Sequence, residues 1–349
     1  MYANELKILL HKTIPAGLPV LVTGSPGVAK TSVCVQACES LGVDYLISHP
    51  VVEDPTDLKG LPFPVNGRAE FLPIGQFDRV LQSTDPLVWI IDDLGQAAPS
   101  VQAAYMQLLL ARELNGQQIP KGVCFLACTN RRQDKASVAG ILEPVKSRFA
   151  TIVNLDPDIE SWATWAIEKH INPMIIGFLR FRPVMLNDFQ PTNDLINSPI
   201  PRTWQRASEL IDLGFTDDQE SVEFEALKGC IGESATLEFL SFRKIYKRIP
   251  DLNRILIDGD YSCFDTVRHD LCTMYSVCAA LVMRCHIEHI ENCLGWAATC
   301  LDSGHSEFGI VVIKDLITKF GSKIVCETRA YSTMATGNHA EYITGLNHG

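Results

Sequence analysis

One segment near the N-terminus has the residue types and spacing of a phosphate-binding loop (P-loop). It reads Gly24-Ser25-Pro26-Gly27-Val28-Ala29-Lys30-Thr31 and continues into Ser32. It fits G-x-x-x-x-G-K-[ST] with Ala29 in place of the second fixed glycine, a change we expect to be tolerated if the φ of Ala29 stays negative. Such a loop binds phosphate oxygens through inward-facing N–H groups at a helix N-terminus. We expect all nine residues to bind nucleotide, with Lys30 at the β- and γ-phosphates and the Thr31 hydroxyl on Mg²⁺.

Two carboxylates follow an apolar run about 60 residues later. Residues 87–91 read Leu-Val-Trp-Ile-Ile, and Asp92 and Asp93 come next. We expect Asp92 to hold Mg²⁺ through water and Asp93 to orient and deprotonate the attacking water. Hydrolysing P-loop enzymes usually have glutamate at the second position, so the shorter aspartate predicts slower hydrolysis or a tighter site. Taken alone, the pair is also typical of an ordinary acidic strand end.

A third polar group, Asn130, follows the apolar run 122–128. Ligands of open α/β sheets bind at the carboxyl ends of strands, which places Asn130 at the γ-phosphate or the lytic water. An Asn after a strand more often forms a turn. Asn130 is a candidate site residue only because the P-loop and the Asp92-Asp93 pair precede it. Together the three segments predict a site that binds ATP and Mg²⁺ and hydrolyses the γ-phosphate.

The elements that must position these residues alternate between strands and helices. Apolar runs at 18–23, 87–92 and 122–128 predict buried strands, and residues 30–41 predict the helix after the P-loop. This alternation indicates an α/β fold with a parallel sheet. The segment 49–79 is rich in Pro and Gly and indicates an insertion that carries a hairpin.

Beyond residue 155 the strand signals fade and amphipathic helices take over. We predict helices at 162–170, 203–213, 223–246, 267–285 and 289–301. The sequence therefore predicts a nucleotide-binding core over 1–155, a helical lid over 156–250, and a C-terminal helical extension over 251–349. The last residues, from Ser332 onward, are small and polar and are expected to fray.

Composition excludes several classes of protein. The chain has 349 residues, a net charge of −11 and 46% hydrophobic residues, which excludes disordered, collagen-like and coiled-coil proteins. Residues 1–150 carry 13 Lys and Arg against 14 Asp and Glu, and the remaining residues carry 17 against 27. Because nucleic-acid affinity depends on basic surfaces, the acidic second part argues against a nucleic-acid partner.

The cysteines and the apolar runs bear on location. Twelve cysteines occur at irregular spacings, and the start of the chain, MYANELKILLHK, has Glu5 and only a short apolar run, so we expect no secretory leader. These features predict reduced thiols in a cytoplasmic protein. No apolar run approaches 18 residues, so we expect no membrane span.

The ordered set of motifs resembles AAA+ ATPases of the MoxR type. Besides the P-loop, Asp92-Asp93 and Asn130, it includes Pro144-Val145-Lys146-Ser147-Arg148-Phe149 and Ser198-Pro199-Ile200-Pro201-Arg202-Thr203-Trp204. The insertion at 49–79 and the segment Ala98-Pro99-Ser100-Val101-Gln102-Ala103-Ala104 add support. The resemblance covers about residues 1–215, and its motifs are specific as a set although few are specific singly.

The resemblance implies a ring-forming, usually hexameric ATPase that uses ATP and Mg²⁺. Arg148 matches the arginine finger that enters the neighbouring subunit's site, and Arg202 matches the sensor-2 arginine that contacts the γ-phosphate of its own subunit. In such a ring, hydrolysis remodels or activates a partner protein, often one with a von Willebrand factor A-type domain. Judged without the family, both arginines are ordinary cations near helix ends.

Two other functions stay open. One is a nucleic-acid motor or loader on the same fold, which the acidic second part disfavours. The other is an assembly scaffold that binds ATP and hardly hydrolyses it, which the aspartate at position 93 keeps open.

Three weaker patterns have ordinary explanations. Cys285, His289 and Cys293 follow an i, i+4, i+8 spacing that could bind zinc, but core packing is the preferred interpretation. The basic run 243–248 could contact nucleic acid, and it also suits a helix C-terminus. Phe63 and Phe71, in the insertion, could contact a client in a central pore or fix the insertion to the core.

Overall fold

The computed structural model describes residues 1–114, 116–134, 140–192 and 194–344. The chain divides into two compact units, Met1–Pro157 with Phe189–Asn193, and Asp158–Asp188 with the residues from Asp194 onward. The first unit holds the parallel sheet and the second is helical. The predicted fold class, an α/β core with a parallel sheet followed by a helical region, is confirmed. The predicted further border near residue 250 stays a prediction.

The described part of the first unit has helices and strands in the following chain order: α1 (Ala3–Thr13), β1 (Val20–Gly24), α2 (Lys30–Leu41), β2 (Asp44–Ser48), α3 (Pro55–Lys59), β3 (Leu61–Val65), β4 (Arg68–Leu72), α4 (Gln76–Leu81), β5 (Leu87–Ile91), α5 (Pro99–Ala111), β6 (Glu113–Leu114), β7 (Gln117–Gln118), β8 (Val123–Asn130), α6 (Glu143–Lys146) and β9 (Thr151–Asn154). The sequence did not indicate β2 or β9, each of only four or five residues.

Five strands form one parallel sheet in the order β2-β5-β8-β1-β9. Strand β5 is buried along its whole length, as a continuous apolar run in a sheet covered on both faces should be. On one face Trp89 packs against Tyr105 and Phe125. On the other, Val88 and Ile90 belong to the same buried cluster as Cys34 of α2. Because all five strands run in one direction, their carboxyl ends lie at one edge.

The segment 49–79 contains an antiparallel hairpin, in which β3 pairs with β4. The side chains of Phe63 and Phe71 are 45% and 48% exposed. Neither ring belongs to the buried core, and their two interpretations, contact with a client and fixing the insertion, both stay predictions.

The described part of the second unit has helices in the following chain order: α7 (Ile159–Glu168), α8 (Pro173–Phe181), α9 (Pro201–Ile211), α10 (Glu220–Ile231), α11 (Glu233–Tyr246), α12 (Leu252–Leu256), α13 (Phe264–Val267), α14 (Leu271–Arg284), α15 (Ile290–Asp302), α16 (Ser306–Phe320), α17 (Ser322–Cys326), α18 (Arg329–Thr336) and α19 (Ala340–Thr344).

Two predictions for the helical region are wrong. The helix predicted over 223–246 is two helices, because Gly232 separates α10 from α11 with a φ of 81°. The predicted separation of the helices at 267–285 and 289–301 is confirmed, since α14 ends at Arg284 and α15 begins at Ile290, and no single helix carries Cys285, His289 and Cys293. The residues from Ser332 to Thr344 lie largely in α18 and α19 rather than in a frayed tail, and residues 345–349 lie outside the described residues.

The cysteine row of the second unit lies in the core. Cys278, Cys285, Cys293 and Cys300 are each at most 1% exposed, within one buried apolar cluster. All twelve cysteines of the chain are free thiols. No group of three or more potential metal ligands (His, Cys, Asp or Glu) occurs among the described residues. These cysteines therefore act as small apolar side chains in the packing of α14 and α15.

A search of the same described residues for membrane-crossing helices finds none with the length and apolar character required.

Candidate functional site

The P-loop connects the carboxyl end of β1 to the first residue of α2. Gly24 ends β1, and a Cβ there would lie 2.7 Å from the carbonyl oxygen of Leu155, so the position has no room for a side chain. Val28 is 4% exposed and its side chain packs into the apolar cluster beneath the loop. Its contribution to a ligand is therefore restricted to the backbone.

Two residues of the loop have left-handed backbone conformations. The φ of Gly27 is 72° and the φ of Ala29 is 71°. The negative φ under which alanine is expected to be tolerated here is therefore not found, and α2 starts directly after this left-handed residue. The left-handed conformation costs a residue with a Cβ about 1–2 kcal/mol. The structure therefore accounts for the glycine that the general pattern has at this position.

Lys30 lies at the base of the loop and is 6% exposed. Its ammonium donates to the carbonyl oxygens of Gly24 at 3.1 Å and Ser25 at 2.9 Å, and to Oδ1 of Asn130 at 2.6 Å. These three acceptors are uncharged oxygens. They orient the ammonium of Lys30 but do not neutralise its positive charge. A phosphate anion at the loop can compete with them for the same ammonium.

Thr31 and Asp92 form the predicted metal-binding pair. The Thr31 hydroxyl donates to Oδ1 of Asp92 at 2.8 Å, and the backbone N–H of Asp93 donates to the same oxygen at 3.0 Å. A hydroxyl and a carboxylate are the oxygen ligands that Mg²⁺ takes from a protein when phosphates and waters supply the rest. These two residues therefore fit a Mg²⁺ ion.

Asp93 has a φ of 54°, in the left-handed region. Aspartate and asparagine are the side-chain residues that tolerate this conformation best. The local backbone thus favours aspartate over the glutamate usual in hydrolysing P-loop enzymes. Its Oδ1 lies 3.4 Å from Nδ2 of Asn130, which donates to it.

The sheet brings together five of the residues predicted from the sequence. Gly24 at the end of β1 is directly opposite Asn130 at the end of β8. Hydrogen bonds then connect Lys30, Asn130 and Asp93 on one side, and Thr31 and Asp92 on the other. This arrangement can bind a nucleotide phosphate chain with its metal and place a carboxylate beside the terminal phosphate.

Arg148 lies in the first unit and is not part of this hydrogen-bonded network. Arg148 follows α6, and its Nε is buried without a hydrogen-bond partner. No hydrogen bond or ion pair of its guanidinium is found within the described residues. Arg202 is the second residue of α9 in the helical unit and is exposed.

Sequence reasoning missed polar residues at the end of β2. His49 follows this strand, and its Nδ1 lies 4.0 Å from Oδ2 of Asp92. Glu53 accepts a hydrogen bond of 2.6 Å from the hydroxyl of Tyr105, which lies 3.0 Å from Oγ of Ser48. Burial raises the pKa of the Glu53 carboxyl, and its hydrogen bond with Tyr105 opposes this shift. The apolar run before Ser48 and His49 is too short for the sequence to predict a strand there.

Arg131 directly follows Asn130, and no sequence motif assigns it a contact. The structure holds it in its own subunit, where Nη2 donates to Oγ of Ser25 at 2.6 Å. It also forms a two-point contact with Asp134. A role in a neighbouring subunit's site would require these contacts to break.

Comparisons with known proteins give only distant likenesses. No family model matches the chain, and no curated relative matches it. A point mutant of RuvB from Thermotoga maritima is similar at 15% identity and a TM-score of 0.41, over 77% of this chain and 80% of that one. NtrX from Brucella abortus in complex with ADP is similar at 12% identity and a TM-score of 0.43, over 99% of this chain and 68% of that one. At these values neither likeness assigns this chain to a family or an activity.

Proposed function

We propose that this protein is a Mg²⁺-dependent AAA+ ATPase that converts ATP and water to ADP and phosphate. The observation that carries the proposal is the hydrogen-bonded row Lys30–Asn130–Asp93 beside the pair Thr31–Asp92, at the carboxyl ends of paired parallel strands. Each residue type suits one requirement of phosphoryl transfer, and the spacing agrees with the sequence pattern.

The roles follow from the chemistry of each group. The loop N–H groups and Lys30 bind the phosphates, and Thr31 and Asp92 hold Mg²⁺, Asp92 through water. Mg²⁺ supplies charge neutralisation at the β- and γ-phosphate oxygens. Asp93 accepts the proton of the attacking water, and the amide of Asn130 orients Asp93 toward that water.

We further propose a ring assembly of the MoxR type, a hexamer, in which Arg148 acts on the neighbouring subunit's nucleotide. Support comes from the order of the sequence motifs and from the guanidinium of Arg148, whose Nε has no partner among the described residues of its own chain. Arg202 serves as the sensor arginine of its own subunit. An arginine beside the γ-phosphate neutralises charge that builds up in the transition state, which is worth about 10³-fold or more in rate.

In this proposal the ring acts in a chaperone-like role in the cytoplasm and remodels or activates a partner protein. A client with a von Willebrand factor A-type domain is the partner that the MoxR resemblance favours. The exposed hairpin side chains Phe63 and Phe71 offer an apolar surface for such a client.

One structural observation keeps a second candidate. The φ of Asp93 favours aspartate or asparagine at this position. The aspartate carboxylate reaches less far toward an attacking water than that of a glutamate would. A scaffold that assembles on ATP and hydrolyses it very slowly would show the same site.

The test is steady-state ATP hydrolysis as a function of protein concentration. Lys30→Ala serves as the blank, and Lys12→Ala, an exposed lysine on α1, is its matched control. A ring enzyme shows a specific rate that rises with concentration, is lost in Lys30→Ala and survives in Lys12→Ala. Mixing in Arg148→Ala subunits should then lower the rate more than their share of the mixture. ATP binding without hydrolysis at any concentration would favour the scaffold, and the lack of ATP binding would overturn both.

A further inference from the structure

The guanidinium of Arg131 contacts the first variable residue of the P-loop and two carboxylates at once. Nη2 donates to Oγ of Ser25 at 2.6 Å. Nε and Nη2 donate to the two carboxylate oxygens of Asp134 at 3.0 and 3.1 Å. Nη1 lies 3.6 Å from Oδ1 of Asp156. All three guanidinium nitrogens therefore have partners, and the planar group has one orientation.

These partners are well ordered by their surroundings. The Asp134 side chain is 9% exposed, and Ser25 is 3% exposed. Asp156 follows β9 and accepts from Nδ2 of Asn154 at 2.7 Å. A two-point contact between arginine and a carboxylate fixes geometry as well as charge. Arg131 is thus anchored at Asp134 and extends to the P-loop from that anchor.

Ser25 is held from two sides by cations. Lys30 donates to its backbone carbonyl, and Arg131 donates to its side-chain hydroxyl. When Lys30 binds phosphate oxygens, at least one of its bonds to the carbonyls of Gly24 and Ser25 and to Asn130 must weaken or break, since one ammonium has three donors. The bond from Arg131 does not use the carbonyl and can persist through that exchange.

We propose that Arg131 is a positioning residue for nucleotide binding, which holds Ser25 and with it the P-loop while Lys30 changes from carbonyl to phosphate partners. The proposal rests on the proposed ATPase function. It adds a residue with no place in the G-x-x-x-x-G-K-[ST] pattern. Because Arg131 directly follows Asn130 at the end of β8, it also connects the P-loop to the strand end whose Asn130 contacts Lys30 and Asp93.

The experiment is a double-mutant cycle on ATP affinity with Ser25→Ala, Arg131→Lys and the double variant. Ser25→Ala removes the hydroxyl and leaves the ion pair of Arg131 with Asp134 intact. Lysine cannot make the two-point contact and reach Ser25 together. Ser40→Ala is the matched control, because the Ser40 hydroxyl bonds to the Ala37 carbonyl at the far end of α2.

We expect each single variant to weaken ATP binding about 10-fold, the effect of losing a hydrogen bond to a charged group. The double variant should be no weaker than the weaker single, and kcat at saturating ATP should stay close to that of the wild type. Ser40→Ala should bind like the wild type. This pattern of affinity lost without loss of turnover is what positioning of the loop predicts.

Three results would overturn the inference. They are additive effects in the cycle, unchanged affinity in Ser25→Ala, and a fall in kcat as large as the fall in affinity. If Arg131→Lys does not fold, the ATP affinity and kcat of Ser25→Ala test the inference without the cycle. Wild-type protein that binds no ATP would remove the proposed function and this inference together, whereas wild-type binding with an unaffected Ser25→Ala would remove only the inference.

Discussion

The ammonium of Lys30 donates a 2.6 Å hydrogen bond to Oδ1 of Asn130, a residue 100 positions further along the chain. The contact exists because β1 and β8 are neighbours in the sheet, with Gly24 opposite Asn130. Parallel pairing brings the carboxyl ends of both strands to the same edge. The pairing register of β1 with β8 therefore positions two groups of the site. They are the lysine that binds phosphate and the amide that contacts Asp93.

Replacing Asn130 with alanine should abolish most hydrolysis while leaving ATP binding largely intact. The loop and Lys30 bind the phosphates without Asn130, whereas the orientation of Asp93 depends on its amide. Loss of one preorganised polar group at a transition state typically costs about 10²–10³ in kcat. Steady-state hydrolysis together with nucleotide titration measures the two effects separately.

Two further variants sharpen this prediction. Asn130→Asp keeps the size of the side chain and places a second carboxylate beside Asp93, so kcat should also fall. Asn253→Ala, at an exposed position of α12, should have no effect on either quantity. Hydrolysis by Asn130→Ala at the wild-type rate would remove Asn130 from the catalytic machinery.

Asp93 can be tested with two substitutions that separate charge from backbone conformation. Asparagine also tolerates a φ of 54°, so Asp93→Asn should fold normally, bind ATP and lose about 10²–10⁴ in kcat as a general base is removed. Glutamate is less tolerant of this conformation, so Asp93→Glu should lower the free energy of unfolding by about 1 kcal/mol. Denaturant titration and single-turnover hydrolysis measure the two effects.

The outcome for Asp93→Glu distinguishes two explanations for the aspartate. If hydrolysis does not increase, the left-handed backbone has selected the residue, and the site is built around the shorter side chain. Faster hydrolysis in a fully stable Asp93→Glu variant would contradict the conformational argument. It would instead support the hypothesis that aspartate slows this enzyme.

The sequence predicted the parts of the site that local pattern encodes. The P-loop is contiguous, and Asp92 and Asn130 both follow apolar strands, so their place at one sheet edge follows from parallel pairing alone. The contact of Arg131 with Ser25 joins residues 106 positions apart and depends on side-chain direction, which no pattern of residue types specifies. The φ of Ala29 likewise depends on how the loop enters α2.

In the helical region too, local sequence pattern predicts some features, whereas contacts between distant residues cannot be predicted from it. Gly232 is a visible break between α10 and α11, and a stricter use of glycine as a helix terminator would have found it. The partner of Arg180, by contrast, is Asp315, 135 residues away on another helix. Nothing local distinguishes that aspartate from one on the surface.

The strain at Ala29 predicts a stabilising substitution. Glycine adopts a φ of 71° without a steric penalty, so Ala29→Gly should raise the free energy of unfolding of the first unit by about 1 kcal/mol. The control is Ala103→Gly at an exposed interior position of α5, which should lower the free energy of unfolding by about 1 kcal/mol. Hydrogen exchange of the β1 backbone amides at increasing urea reports on this unit. Equal destabilisation by both substitutions would show that Ala29 is not strained.

The buried ion pair between α8 and α16 gives the last prediction. Arg180 and Asp315 are each 4% exposed at the side chain, and two hydrogen bonds of 2.5 and 2.7 Å join them. Removing Arg180 leaves Asp315 as an unpaired charge in the apolar interior of the helical unit. Removing Asp315 leaves Arg180 with the longer contact of 3.9 Å between its Nε and Oε1 of Glu160, a half-exposed carboxylate. Asp315→Asn or Arg180→Met should therefore lower the free energy of unfolding by about 3–5 kcal/mol.

The double variant Arg180→Met/Asp315→Met should be less destabilised than either of these single variants, because it leaves no buried charge and fills similar volume with apolar atoms. Arg206→Met breaks the exposed pair with Glu209 and should change stability by less than about 1 kcal/mol. Circular dichroism at increasing urea measures the loss of helix in all four variants. A double variant at least as destabilised as the single variants would mean that the ion pair is more stable than an apolar replacement. A double variant that is more stable than the single variants would mean that the ion pair itself costs free energy. Its role would then be to fix how α8 packs on α16.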